Sequence, residues 1–142
     1  MNTQDVKFRD LRVEDQASLL ELFKQLISHE ALFSAKKCID DVNTHCIVVT
    51  KDNEIIGFGA VVFSSSPTKG KFATLEDIII DEGCRSEGLG RELVKRLISV
   101  AHSKDIRLIK LTSNPKRVPA RNLYQSLGFV QHDTGIFELK SE

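Results

Sequence analysis

Arg85, Gly88 and Gly90 stand in the order R-x-x-G-x-G, spelled Arg85-Ser86-Glu87-Gly88-Leu89-Gly90, between the apolar run Ile78-Ile79-Ile80 and an amphipathic stretch. That spacing suits anion binding. The first N–H groups of a helix lack partners within it, and the helix dipole adds partial positive charge there. Glycine removes the Cβ atoms that would hold an anion away and permits unusual backbone angles. Successive amides can then wrap a diphosphate, with Arg91 in place to add a side-chain charge. The same spacing also serves a strand-to-helix turn whose glycines only bend the backbone. Two familiar nucleotide motifs fail. Gly83 and Gly88 have Walker spacing, but Leu89 stands where the lysine must be. Gly88 and Gly90 begin a dinucleotide fingerprint, but Leu93 occupies the third glycine position, and Val62 does the same after Gly57 and Gly59.

Other residues with chemical potential are few. Glu76 and Asp77 form the only adjacent carboxylate pair on an apolar strand, and Tyr124 is the only tyrosine. The four histidines, His29, His45, His102 and His132, share no metal-ligand spacing, so no metal is expected. Cys38, Cys46 and Cys84 include no C-x-x-C pair and read as reduced thiols of a cytoplasmic protein. Cys84 beside the glycine turn reads as a small packing residue.

The pattern of apolar residues supplies elements to hold these groups. Residues 6–10 are extended, and residues 13–29 carry Leu19, Leu20, Leu22, Phe23, Leu26 and Ile27 at helical spacing. A poorer helix covers residues 34–42. Residues 46–50 and 55–63 are strands joined by a hairpin turn at "KDNE", and "SSSPTKGK" is a loop by composition. Residues 72–81 form a strand and residues 90–103 a helix, with residues 108–112 a further strand. Residues 120–127 form a short helix with Pro119 in its first turn, closed by Gly128. Residues 129–133 and 136–139 read as a terminal hairpin. The order β-α-α-β-β-β-α-β-α-β-β describes one mixed α/β domain over residues 1–142.

Composition agrees with a soluble globular protein: 41% apolar, 28% charged, net charge zero. A zero balance offers no electrostatic footprint for a nucleic acid. No apolar run approaches the ~20 residues of a membrane span, and the N-terminus is charged where a signal peptide needs an apolar stretch. Neither nucleic acid nor membrane is expected as a partner.

The stretch "TLEDIIIDEGCRSEGLGRELVKRLISVAHSKD" resembles the central motif of the GNAT family of N-acetyltransferases, and "ARNLYQSLGF" is similar to that family's C-terminal motif. The two lie in the family order, and the likeness covers essentially the whole chain. It implies a mixed, mostly antiparallel central sheet flanked by helices, with two central strands splayed apart. It implies acetyl-CoA as co-substrate: pantetheine along the main chain of Ile78, Ile79 and Ile80, and diphosphate on the amides of Arg85, Ser86, Glu87, Gly88, Leu89 and Gly90, with Arg91 nearby. Many relatives carry asparagine seven residues before the tyrosine, near the pantetheine amide. Arg117 stands there, and Asn114 is the nearest amide side chain. Lys116, Arg117 and Arg121 make a basic cluster suited to the CoA 3′-phosphate, to an anionic acceptor group or to plain solvation.

Acetyl transfer requires a deprotonated amine, a stabilised oxyanion and a leaving thiolate that gains a proton. By resemblance Tyr124 donates to the leaving sulfur; its ordinary alternative is an aromatic packed by the last helix. Glu76 is the favoured base. Neighbours on a regular strand face opposite ways, but family strands often bulge here and would re-aim the Glu76–Asp77 pair; a salt bridge or an edge charge is the alternative. The expected activity is direct transfer in a ternary complex to a primary amine of a small molecule, such as an amino sugar phosphate or an aminoalkylphosphonate. A protein acetyltransferase acting on lysine or N-terminal residues, and a non-catalytic acyl-CoA sensor, are the competing readings. The resemblance is also compatible with a homodimer formed through the terminal strands.

Overall fold

The computed structural model describes residues 5–85, 87–113 and 116–141. The chain divides into two compact units, Met1–Thr112 and Ser113–Glu142.

The first unit is built on a five-stranded sheet in the order β1-β2-β3-β4-β5. Its strands are β1 (Val6–Asp10), β2 (Thr44–Lys51), β3 (Glu54–Ser66), β4 (Gly70–Ile80) and β5 (Ile109–Lys110). The first three pairings are antiparallel and β4–β5 is parallel. Asp52 and Asn53 both have positive φ, 51° and 69°, so "KDNE" makes the two-residue turn whose twist matches its strands. The helices are α1 (Gln16–Phe23), α2 (Ala35–Asp40) and α3 (Leu89–Ser103).

Alternation along β3 assigns the helices to opposite faces of the sheet. Phe58 meets Phe23 and Phe33 edge-on, at 5.1 and 5.9 Å between ring centroids, which places α1 on one face. Its neighbour Gly59 faces α3 so closely that an added Cβ would lie 2.8 Å from Leu97 Cδ1. Leu93, Val94, Leu97 and Ala101 of α3 are fully buried, as the helical stripe requires. Of the glycines that mimic a nucleotide fingerprint here, Gly59 serves helix-on-sheet packing, whereas Gly57 leaves room for Ile80 and Val49 of the neighbouring strands.

Three segments differ from the sequence-based expectation. The first helix stops at Phe23 rather than His29, because the chain must turn back to seat Phe33 against Phe23, 5.1 Å away. Gln16 pins that return, donating to Phe33 O at 2.8 Å and accepting from the Ala35 N–H at 2.7 Å. The "SSSPTKGK" segment is mostly ladder, with Ser64, Ser65 and Ser66 pairing with Phe72, Lys71 and Gly70. A long partner strand outweighs the weak strand preference of serine. The terminal hairpin does not form among the described residues. Val130, Ile136, Phe137 and Leu139 are exposed, and the described residues of the second unit form the helix α4 (Val118–Ser126) with no sheet edge to extend. A lone two-stranded hairpin is marginal in water. The expected dimer through terminal strands therefore loses its strands.

Candidate active site

Strand β4 carries the chemistry because its pairing changes twice along its length. On the β5 side only Ala73 and Thr74 are paired, with Ile109 and Lys110. From Leu75 to Ile80 that edge has no strand partner among the described residues, which is the expected splay. On the β3 side, Phe58 pairs with Ile79 but Ala60 pairs with Glu76, so β4 contains an extra residue. This is a β-bulge, and Asp77 within it adopts φ of 54°. In a regular register Asp77 would sit opposite Gly59 and point at Leu93 and Leu97, where a carboxylate has no place. The bulge avoids that burial.

Glu76 lies in register with Ala60, which in turn pairs with Cys46, so it shares the α1 and α2 face of the sheet. Asp77 acts toward the same side, since its negative charge helps raise the pKa of both Cys38 on α2 and Cys46 on β2. Both carboxyls sit above the usual carboxylate range. For Glu76 the causes are partial desolvation and then the charge of Asp77; for Asp77, desolvation. Both side chains remain accessible to water. The surrounding protein lowers the polarity around them without covering them, the condition that suits a proton acceptor. Cys38 and Cys46 hydrogen-bond to one another, and burial pushes Cys46 up to about 12, so both are inert thiols.

Beyond the open edge the chain turns into α3. Arg85 Nε donates to the Ile80 carbonyl at 3.0 Å, so of the three isoleucines expected along pantetheine, Ile80 already has its oxygen engaged. Arg85 thus braces the turn. Asp81 N–H donates to Ile56 O at 2.6 Å, and the Asp81 carboxylate accepts from Gly83 N–H at 3.1 Å. Gln25, just past α1, donates to Asp81 Oδ1 at 2.7 Å and accepts from Glu82 N–H at 2.9 Å. Gly88 is the N-cap of α3 with φ of 78°, which glycine alone adopts without strain, and no atom lies within 4 Å of where its Cβ would be. Gly88 therefore faces open space just ahead of the first turn of α3, where N–H groups generally lack partners within the helix. Glu87 is held by Lys51, whose ammonium lies 3.2 and 3.4 Å from its two oxygens. Ser86 lies outside the described residues, as does Asn114. The turn thus combines a bare glycine, the start of a helix and its dipole, the elements an anion site uses.

In the second unit Tyr124 is buried on α4, and the helix terminus explains why the residues after it are glycine and phenylalanine. Gly128, at φ of 99°, donates to Gln125 O, and Phe129 N–H donates to Tyr124 O at 3.1 Å. This double bond pattern closes the helix and brings the residue after the glycine back to the one five positions earlier. The rings of Phe129 and Tyr124 accordingly meet at 6.0 Å. Desolvation raises the phenol pKa, against a smaller lowering by Arg117, so the hydroxyl keeps its proton. Arg121 donates to Ser113 O at 3.2 Å and to Gln131 Oε1 at 2.7 Å, which commits it to bracing this unit.

Gln25, Lys51 and the buried Ser113 hydroxyl, which takes no partner among the described residues, carry no local sequence signal. Each becomes visible only through a contact or a burial that the fold creates. Among the described residues no group of three His, Cys, Asp or Glu could hold a metal ion, and no helix is long and apolar enough to cross a membrane.

The model of the acetyltransferase (GNAT) family matches residues 8–129. Glucosamine 6-phosphate N-acetyltransferase of Trypanosoma brucei brucei is 29% identical over 138 residues, spanning 91% of this chain and 92% of its own. Thialysine N-epsilon-acetyltransferase of Bos taurus is 26% identical over 141 residues, spanning 87% of this chain and 83% of its own. The crystal structure of a predicted acetyltransferase from Clostridium acetobutylicum, solved with acetyl-CoA, superposes with a TM-score of 0.77 at 20% identity and covers 96% of each chain. With a splayed sheet, a bulged central strand and a glycine turn capping the helix that follows, the chain belongs to the acetyltransferase (GNAT) family and is an N-acetyltransferase.

Proposed function

We propose that the protein transfers the acetyl group of acetyl-CoA directly to the primary amine of a small molecule that also carries a phosphate or phosphonate. The observation that carries this reading is the bulge of β4. It sets Glu76 and Asp77, both with raised pKa, beside a strand edge that is open as far as the diphosphate turn. A thioester whose pantetheine arm follows that edge through the main chain of Ile78 and Ile79 would bring its acetyl carbon to the two carboxyls. Glu76 would take the amine proton, directly or through a water. Tyr124, protonated at neutral pH, would donate to the departing thiolate. The family match runs across both compact units, residues 8–129, which supports their working as one catalytic domain. The relative from Trypanosoma brucei brucei, named for glucosamine 6-phosphate, supports the phosphate-bearing acceptor, and exposed Arg117 offers it a cation.

A second acceptor class has its own support. Asp41, whose carboxylate is held low by the Asn43 N–H and then the Thr44 hydroxyl, adds negative charge on the side of Glu76 and Asp77, and a relative is named for thialysine. An amino acid with a cationic side-chain amine suits that charge.

Thiol release from acetyl-CoA with glucosamine 6-phosphate, 2-aminoethylphosphonate, thialysine, lysine, spermidine and a lysine peptide separates these readings. The expected outcome is acceptor-dependent release for a phosphate- or phosphonate-bearing amine, falling about 10²-fold or more in Tyr124→Phe with CoA affinity unchanged. Preference for thialysine would move the assignment to the second class. CoA binding without turnover of any acceptor would favour a sensor, and turnover of the peptide alone a protein acetyltransferase.

A further inference from the structure

Glu87 places a carboxylate inside the turn read above as a diphosphate site. Left to itself, that charge would repel the ligand the turn is built for. Lys51 answers it. This residue ends β2 and pairs with Val6 on one side and Glu54 on the other, so its main chain is fixed within the sheet. Its side chain is only 16% exposed, against 41% for Glu87, and its ammonium reaches both Glu87 oxygens. Among the described residues Glu87 is the one carboxylate within ion-pair distance of Lys51. The lysine comes from the rigid sheet and the glutamate from the turn. The pair therefore ties the glycine-bearing segment to the scaffold in one position.

We propose that Lys51 is a positioning residue for the CoA diphosphate, acting through Glu87: it neutralises the carboxylate and draws it toward β2, leaving the amides of the turn to the ligand. The proposal rests on the diphosphate reading of that turn. It predicts that the need for Lys51 disappears once Glu87 is neutral.

The test measures dissociation constants of CoA and of pantetheine, which lacks the diphosphate, for wild type, Lys51→Met, Glu87→Gln and the double variant. Lys51→Met should weaken CoA about tenfold, the size expected of one partly exposed charge at close range, and leave pantetheine unchanged. Adding Glu87→Gln should restore CoA affinity to within about threefold of wild type, because the repulsion is gone. Lys51→Arg, which keeps the charge if the methionine variant folds poorly, should retain CoA affinity. A loss that persists in the double variant, or that affects pantetheine equally, overturns the proposal. If wild type binds pantetheine as tightly as CoA, the diphosphate reading itself fails and Lys51 loses its role with it.

Discussion

Glu76 and Asp77 are neighbours in sequence, and only backbone geometry tells them apart. Glu76 keeps its strand register opposite Ala60, whereas Asp77 sits in the bulge at positive φ. A base works only when ionised, and desolvation and then the charge of Asp77 raise the Glu76 pKa above its ordinary value. Activity should therefore fall as pH drops through that raised value, giving an acidic limb above the usual carboxylate range. Glu76→Gln should lower kcat/KM by roughly 10²-fold and remove the limb. Asp77, raised by desolvation, should keep that upward shift in the variant. A limb that survives Glu76→Gln but vanishes in Asp77→Asn would transfer the role of base to Asp77. Tyr124 illustrates the same dependence on backbone. Its motif partners Gly128 and Phe129 close the helix that holds it, which gives the spacing of "LYQSLGF" a mechanical reason.

At the scale of elements, packing decided what propensity left open. Gly59 reads as part of a failed nucleotide motif, but its missing side chain lets Leu97 of α3 sit against β3. Gly59→Val should cost about 1–3 kcal/mol in chemical denaturation, the usual penalty of overpacking. Leu97→Ala, destabilising alone, should cost less in the Gly59→Val background, since each change makes room for the other. Simple additivity of the two would show that the contact is not the source of the loss. Strands β2, β3 and β4 and helix α3 were legible because their apolar periods are long and their turn residues specific, as with Asp52 and Asn53. The early stop of α1 was not, because its cause is Phe33 folding back onto Phe23 and Phe58. Gln25 was hidden for the same reason: its amide grips Asp81 and Glu82 across more than fifty residues of chain.

For the whole molecule, a ligand that binds only the folded state raises its stability in proportion to the logarithm of its concentration. CoA at 100 times its dissociation constant should add about 2.7 kcal/mol. We expect one unfolding transition, shifted up by roughly 5–10 °C, in wild type and in Tyr124→Phe alike. Two separate transitions would show that the compact units do not unfold as one domain. The sequence by itself determined the α/β class, the order of elements as far as α4, the glycine turn ahead of α3 and the lone tyrosine beside its helix cap. All of these are local: they follow from apolar period, from φ and from spacing along the chain. Only the tertiary structure decided where β4 bulges, which face Glu76 shares with Cys46, which carbonyl Arg85 occupies and that Lys51 meets Glu87. Those are contacts between residues distant in sequence, and they exist only once the sheet has set its register and the helices have closed over it.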